Sequence, residues 1–212
     1  MTRAARRRGL LVALEGIDGT GKSTLARALA SALRRRGWSV AVRREPADPR
    51  LGRLAQEASV RDPWTGAVYF TVDRHLARPA LRRELARREI VLTDRSFFST
   101  LAYQGSALPP RERARLERLQ RGASVAPDRV LLLELAPGEA LRRLTGRARA
   151  RAPLERRRTL ERVARAYRLL ARRRGWVVLD ARQSRPVLLA AALEALDATG
   201  GSRTRRRVAG HR

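Results

Sequence analysis

A glycine-rich stretch between residues 16 and 24 carries the strongest chemical signal in the sequence. Two glycines separated by four residues are followed at once by Lys22 and Ser23. In such a loop the backbone N–H groups turn towards a phosphate chain, the lysine reaches the outer phosphates and the hydroxyl can bind Mg²⁺. We therefore predict that phosphate is bound by Gly16, Asp18, Gly19, Thr20, Gly21, Lys22, Ser23 and Thr24.

Lys22 is the only lysine in the chain, and every other residue of the Lys/Arg class is arginine. The planar fork of arginine and the compact ammonium of lysine are not interchangeable beside a phosphate. Lysine thus occurs at the one position where a phosphate-binding loop needs it, which supports a catalytic role for Lys22.

Residues 95–104 supply a second group of candidates. Arg95, Ser99 and Tyr103 recur at intervals of four, and Thr100 and Gln104 lie on the adjacent line of a predicted helix. A cation, hydroxyls, a phenol and an amide on one face are typical of a polar pocket wall and not of a core helix. The alternative is a polar stripe that faces solvent.

Phe70 and Arg74 form a similar pair, one helical turn apart. Considered alone, Phe70 would be interpreted as an ordinary residue of the hydrophobic core. Its pairing with Arg74 favours a face that stacks on a nucleobase and hydrogen-bonds the edge of that base.

The elements that must position these residues alternate between strand and helix. Five buried apolar runs are predicted strands: 10–14, 39–43, 90–93, 130–133 and 176–179. We predict an α/β fold with a five-stranded parallel sheet flanked by helices. One helix covers about 64–85, with an interruption at Pro79 left open. Glu45 and Pro46 follow the second strand, at the edge of the sheet where such folds bind ligands.

Length and charge set further bounds. The 212 residues suit one domain, which we place at 9–198, between basic ends at 1–8 and 199–212 that we expect to be disordered. No apolar run approaches the roughly 18 residues that a membrane span needs. The net charge of +28 suits anionic substrates and implies at most nonspecific nucleic-acid binding. The absence of cysteine is compatible with the cytoplasm.

Five stretches, in this order, resemble the thymidylate kinase family, which belongs to the nucleoside monophosphate kinase group of P-loop NTPases. They are 15–24, Arg-Glu-Pro at 44–46, 70–75, 94–105 and 180–184. The fourth is the most specific to the family. The resemblance covers about 9–198 and implies transfer of the γ-phosphoryl group of ATP to dTMP, giving dTDP.

The resemblance also implies roles for the acceptor residues. Phe70 would stack on thymine and Arg74 would bond a carbonyl of the base. Arg95 would hold the acceptor phosphate, Asp18 would lie near the sugar hydroxyl, and Tyr103 would close against the deoxyribose. The expected dTMP site comprises Asp18, Glu45, Pro46, Phe70, Arg74, Arg95, Ser99, Thr100, Tyr103 and Gln104.

Some family members carry an arginine where Gly19 stands here. The catalytic cation should therefore come from an Arg-rich lid at about 146–154. The alternative is that these arginines form only a solvated run of charge. With the lid, the expected catalytic residues are Asp18, Lys22, Arg95, Arg147, Arg149 and Arg151. Mg²⁺ would be held by Ser23 and Asp94, with ATP as co-substrate. A homodimer through the apolar line of Val68, Val72 and Leu76 and a cytoplasmic location are further implications.

Two alternatives stay open at this point. The chain could be a kinase for another nucleoside or nucleoside monophosphate. It could also be a noncatalytic basic P-loop module that binds nucleic acid, although such a module would not need the acceptor clamp formed by Arg95.

Overall fold

A computed structural model describes residues 8–145 and 157–197, and structural statements below concern these residues. The predicted lid with Arg147, Arg149 and Arg151 lies outside the described residues, as do residues 1–7 and the tail at 199–212. Arg8, at the end of the predicted disordered N-terminus, donates two hydrogen bonds to Asp128 at 2.7 and 2.8 Å.

The described residues contain one five-stranded sheet in which every pairing is parallel, as the sequence predicted. The strands are β1 (Leu10–Glu15), β2 (Val40–Arg44), β3 (Ile90–Asp94), β4 (Arg129–Glu134) and β5 (Val177–Asp180). Their order across the sheet is β2-β3-β1-β4-β5. Because β1 is central, the loop that follows it lies between the carboxyl ends of two neighbouring strands.

Eight α-helices connect and cover the strands within the described residues. They are α1 (Lys22–Arg35), α2 (Pro49–Arg61), α3 (Pro63–Arg87), α4 (Phe97–Tyr103), α5 (Pro110–Ala123), α6 (Pro137–Thr145), α7 (Arg157–Arg174) and α8 (Arg185–Asp197). None of them is long and apolar enough to cross a lipid bilayer.

Two helices that border the candidate site begin at similar sequence signals. Asp48 and Asp62 accept hydrogen bonds from backbone N–H groups in the first turns of α2 and α3, and a proline follows each cap. The helix α3 continues through Pro79 without the interruption that the sequence left open. Proline removes only one helical hydrogen bond there, and packing against α2 and α5 holds the helix together.

The core occupies both faces of the sheet. Val12 and Leu14 join an apolar cluster with residues of α1, α7 and α8, whereas the intervening Ala13 joins a second cluster with residues of α4 and α5. Successive strand residues point to opposite faces, so β1 is covered on both sides. Its carboxyl end is therefore a rigid base for the loop that follows.

Candidate active site

The loop at 16–21 joins β1 to α1 and is shaped by its glycines. Gly19 has a positive φ of 85°, and a Cβ there would lie 2.6 Å from the carbonyl oxygen of Ala140. Gly21 also has a positive φ, but a Cβ there would meet no atom within 4 Å. The N-terminus of α1 opens into this space at Lys22. The loop thus presents backbone N–H groups and a helix dipole to an anion.

The ammonium of Lys22 is buried in this loop. It donates a hydrogen bond to the carbonyl oxygen of Ile17 at 2.8 Å and lies 3.9 Å from the carboxylate of Asp18. Burial lowers the pKa of Lys22 to about 8. The positive charge is therefore costly in this site, and additional anionic oxygens would stabilise it.

A cleft beside the loop encloses about 170 Å³. All ten residues of the predicted acceptor site line it, together with two that the prediction did not include, Arg44 and Gln56. The twelve lining residues are Asp18, Arg44, Glu45, Pro46, Gln56, Phe70, Arg74, Arg95, Ser99, Thr100, Tyr103 and Gln104.

Arg74 lies within α3 at one end of the cleft, which we call the base end. Its guanidinium donates four hydrogen bonds: to Glu45 Oε2 at 2.6 Å, Thr100 Oγ1 at 2.9 Å, Gln120 Oε1 at 2.9 Å and the Ser96 carbonyl oxygen at 3.2 Å. Only 5% of its side chain is exposed. The orientation of Arg74 is therefore set by neighbouring elements and not by solvent.

Phe70 stands one turn before Arg74 on the same helix, as the spacing predicted. The centroid of its ring lies 5.9 Å from Cζ of Arg74. The ring is half-buried and lines the cleft. A planar ligand in the cleft could thus stack on the Phe70 ring while its edge faces the N–H donors of Arg74.

The loop after β2 brings Glu45 into the base end. The backbone N–H groups of Ala47 and Asp48 donate to the carboxylate of Asp73 at 2.9 and 2.8 Å, which fixes the loop on α3. Burial raises the pKa of Glu45, although its ion pair with Arg74 opposes this.

Arg95 lies at the opposite end of the cleft, which we call the phosphate end. Its φ of 78° is left-handed, a conformation that a residue with a side chain adopts at a cost. The helical spacing placed Arg95 on one line with Ser99 and Tyr103, yet α4 begins only at Phe97. The guanidinium still reaches Ser99 Oγ at 3.0 Å and lies 5.3 Å from the Tyr103 ring centroid because its side chain is long.

Asp18 forms an ion pair with Arg95 and joins the phosphate loop to the cleft. Burial opposes its ionisation, but Arg95 and Lys22 hold the pKa of its carboxyl below the usual value. The Tyr103 hydroxyl accepts a hydrogen bond from the Asp18 backbone N–H at 3.2 Å. Two cations and one carboxylate therefore meet where the cleft adjoins the loop.

Comparisons with known proteins agree with this geometry. The family model described as thymidylate kinase matches residues 14–190. The chain belongs to the thymidylate kinase family. A thymidylate kinase from Xanthomonas euvesicatoria pv. vesicatoria is 41% identical over 154 residues, which cover 68% of this chain and 64% of the relative.

Two archaeal relatives, both called probable thymidylate kinase, align over more of their length. The protein from Pyrobaculum calidifontis is 36% identical over 81% of this chain and 88% of its own, and the protein from Sulfurisphaera tokodaii is 35% identical over 80% and 86%. The chain thus spans less than two thirds of the bacterial thymidylate kinase but most of both archaeal relatives.

Ser23 and Asp94 provide the groups that the family's nucleotide-bound Mg²⁺ would use. The Ser23 hydroxyl donates to Oδ2 of Asp94, and Oδ1 of Asp94 is buried with no hydrogen-bond partner among the described residues. No group of three or more His, Cys, Asp and Glu side chains could hold a metal within 8–145 and 157–197. The two residues fit Mg²⁺, which keeps several waters and binds mainly through one or two protein oxygens and substrate phosphates.

The sequence missed several residues that support the site from behind. Glu15 was included only as the first residue of the 15–24 stretch, and Tyr167 was not assigned to the site. Gln120 carried no local signal, because it lies in a helix rich in charged residues. Arg44 was included in the Arg-Glu-Pro stretch at 44–46 but not in the acceptor site.

Proposed function

We propose that this chain transfers the γ-phosphoryl group of ATP to dTMP, giving dTDP and ADP. The observation that supports it most directly is the single cleft lined by all ten predicted acceptor residues, directly beside the phosphate loop. Phosphoryl transfer requires alignment of two phosphates and neutralisation of charge, with little covalent work by the protein.

The base end suits a pyrimidine with a carbonyl at position 4. A guanidinium has five N–H donors and no acceptor, and four donors of Arg74 are already used within the described residues. The remaining N–H can bond a thymine carbonyl, whereas a cytosine amino group would present another donor. Phe70 would stack on the ring.

The phosphate end suits an anionic acceptor. We propose that the acceptor phosphate takes the place of the Asp18 carboxylate on Arg95, and that Asp18 turns to the sugar hydroxyl. A phosphate acceptor is already ionised, so no general base is required. Tyr103 would press against C2′ of the sugar and disfavour a ribose hydroxyl.

The donor would lie on the glycine-rich loop. Lys22 would contact its outer phosphates, and the α1 N-terminus would contribute its dipole. Ser23 and Asp94 would hold Mg²⁺, which neutralises phosphate charge when bound. Arg147, Arg149 and Arg151 remain our candidates for the cation that stabilises the transferring phosphoryl group.

A panel of nucleoside monophosphates with ATP and Mg²⁺, followed by ADP release, tests the proposal. We expect dTMP to be the best acceptor, UMP and dCMP to be poor acceptors, and Lys22→Ala to abolish ADP release without unfolding the chain. Faster turnover of another monophosphate would favour the alternative of a different nucleotide kinase. Absence of ADP release with every acceptor would favour a noncatalytic module that binds nucleic acid.

A homodimer through α3 is also proposed. Val68, Val72 and Leu76 are 47%, 42% and 67% exposed, which leaves an apolar line on the surface of the described chain. Leu76→Asp should convert a dimer to a monomer in light scattering, and an unchanged mass would contradict this interface. A cytoplasmic location is a further proposal that fits the absence of cysteine.

A further inference from the structure

A buried carboxylate, that of Glu15, lies behind the phosphate end of the cleft. Glu15 is the last residue of β1 and is fully buried. It accepts four hydrogen bonds: from Ser96 N at 2.8 Å, Ser96 Oγ at 2.7 Å, Ser99 Oγ at 2.7 Å and the Tyr167 hydroxyl at 2.9 Å. A buried charge is tolerated only with such complete hydrogen bonding.

Ser99 connects this carboxylate to the arginine in the cleft. Its single hydroxyl proton is donated to Glu15, so its lone pairs face the Arg95 guanidinium, which donates to it at 3.0 Å. The hydrogen bonds therefore run in one direction, from Arg95 through Ser99 to Glu15. The Glu15 carboxylate thus orients the Ser99 hydroxyl so that it accepts a hydrogen bond from Arg95.

Tyr167 supports the same carboxylate from α7. Its single hydroxyl proton is donated to Glu15 Oε2 at 2.9 Å, and its oxygen lies 2.9 Å from Ser99 Oγ. The residue is 1% exposed. Neither Glu15 nor Tyr167 lines the cleft. The Tyr167 ring also packs edge-on against the Tyr103 ring, with centroids 6.4 Å apart, and Tyr167→Phe would keep that contact. The hydrogen bonds that connect the Tyr167 hydroxyl to the phosphate end of the cleft run through Glu15, Ser99 and Arg95.

We propose that Glu15 and Tyr167 are positioning residues that hold Arg95 for the acceptor phosphate. Such support is needed because Arg95 stands in a left-handed backbone conformation before α4 and gains no rigidity from a helix. The inference rests on the proposed function, since it takes the ligand of Arg95 to be the phosphate of dTMP.

Tyr167→Phe tests this with two ligands, dTMP and thymidine, in calorimetry. Only dTMP has a phosphate for Arg95. The variant should therefore bind dTMP about tenfold more weakly and bind thymidine within about twofold of the parent. A merely structural role would weaken both ligands equally or neither. Tyr69→Phe is the matched control, because no hydrogen bond is found for the half-buried Tyr69 hydroxyl in the described chain.

A double variant shows whether the effect passes through Arg95. Once Arg95→Ala has removed the guanidinium, adding Tyr167→Phe should not weaken dTMP binding further. Additive losses would overturn the proposal. If Tyr167→Phe does not fold, Ser99→Ala offers a second test. It removes the hydroxyl that connects Arg95 to Glu15 and should give the same selective loss of dTMP binding.

The possible failures are distinguishable. If the parent binds dTMP more tightly than thymidine and Tyr167→Phe and Ser99→Ala keep that difference, the positioning role is wrong and the proposed function stands. If the parent binds neither dTMP nor thymidine, both the proposed function and the positioning role are wrong.

Discussion

Two arginines at opposite ends of one cleft are held in different ways. Arg74 lies within a helix, donates to four acceptors and exposes 5% of its side chain. Arg95 precedes a helix in a left-handed conformation, pairs with Asp18 and exposes 16%. The partner carboxylates differ too, because Glu45 follows β2 and is 21% exposed, whereas Asp18 belongs to the phosphate loop and is 30% exposed.

This difference matches what each end would have to recognise. Discrimination between base edges requires donors whose positions do not change, because a movable donor would adapt to the wrong edge. Capture of a phosphate requires a counterion that can be exchanged, and Asp18 is attached to the same loop that would bind the donor phosphates. The comparison predicts that the two ends respond differently to the same substitution.

The largest expected effect is that of Arg95→Ala on turnover. The variant should lose kcat/KM for dTMP on the order of a thousandfold, because a cation in contact with the transferring phosphates acts mainly in the transition state. Thymidine binding should persist. The measurements are ADP release over a series of dTMP concentrations and calorimetry with thymidine. Turnover within a few-fold of the parent would contradict a catalytic role for Arg95.

Arg74→Ala should instead affect stability. It would leave the buried Gln120 and the Glu45 carboxylate, which is only 21% exposed, without their cationic partner. That loss should cost about 3 kcal/mol of unfolding free energy. The matched Arg95→Ala change should cost less than about 1 kcal/mol, since Asp18 is 30% exposed and can be solvated. Urea denaturation of both variants checks this. Equal losses would contradict the distinction between a fixed and an exchangeable cation.

Both arginines were predicted from the sequence, but their supports were not. Apolar runs are local signals, and they located all five strands. Helical spacing and the resemblance to the family located ten of the twelve residues that line the cleft. Gln120 contacts Arg74 across 46 residues, and Tyr167 contacts Glu15 across 152. Periodicity carries no information about the partner of a hydroxyl such as that of Tyr167. The family assignment is confirmed by the matching family model.

The backbone conformation of Arg95 could not be predicted from the sequence for a related reason. Intervals of four residues placed it on one line with Ser99, but no local signal indicated that its φ would be positive. The predicted neighbours were nevertheless right, because a long side chain can reach the face that the pattern indicated. Spacing therefore predicted proximity better than it predicted backbone geometry.

Phe70→Ala sharpens the comparison at the base end. Loss of a stacking ring should weaken dTMP binding by about 1–3 kcal/mol and leave the KM for ATP unchanged. Calorimetry with dTMP and initial rates over an ATP series test both parts. Equal weakening of dTMP binding and ATP binding would show that Phe70 is a residue of the hydrophobic core and not a base-stacking residue.

The smallest effect should come from Tyr103→Phe, which separates the two parts of this side chain. Its hydroxyl accepts a long hydrogen bond of 3.2 Å from the Asp18 backbone N–H, so its loss should lower kcat/KM for dTMP by about two- to fivefold. The ring remains, and with it the wall that we expect against C2′ of the sugar. The ratio of dUMP to UMP turnover should therefore stay at the parent value.

Tyr103→Ala should differ from Tyr103→Phe in its effect on sugar preference, because it removes the ring that we expect against C2′ of the sugar. In that variant the ratio of dUMP to UMP turnover should fall. If Tyr103→Phe also lowers the ratio, the hydroxyl itself sets the preference by holding Asp18, and sugar recognition then depends on the same exchangeable carboxylate as the phosphate end. If neither variant changes the ratio, sugar discrimination lies with other residues of the cleft.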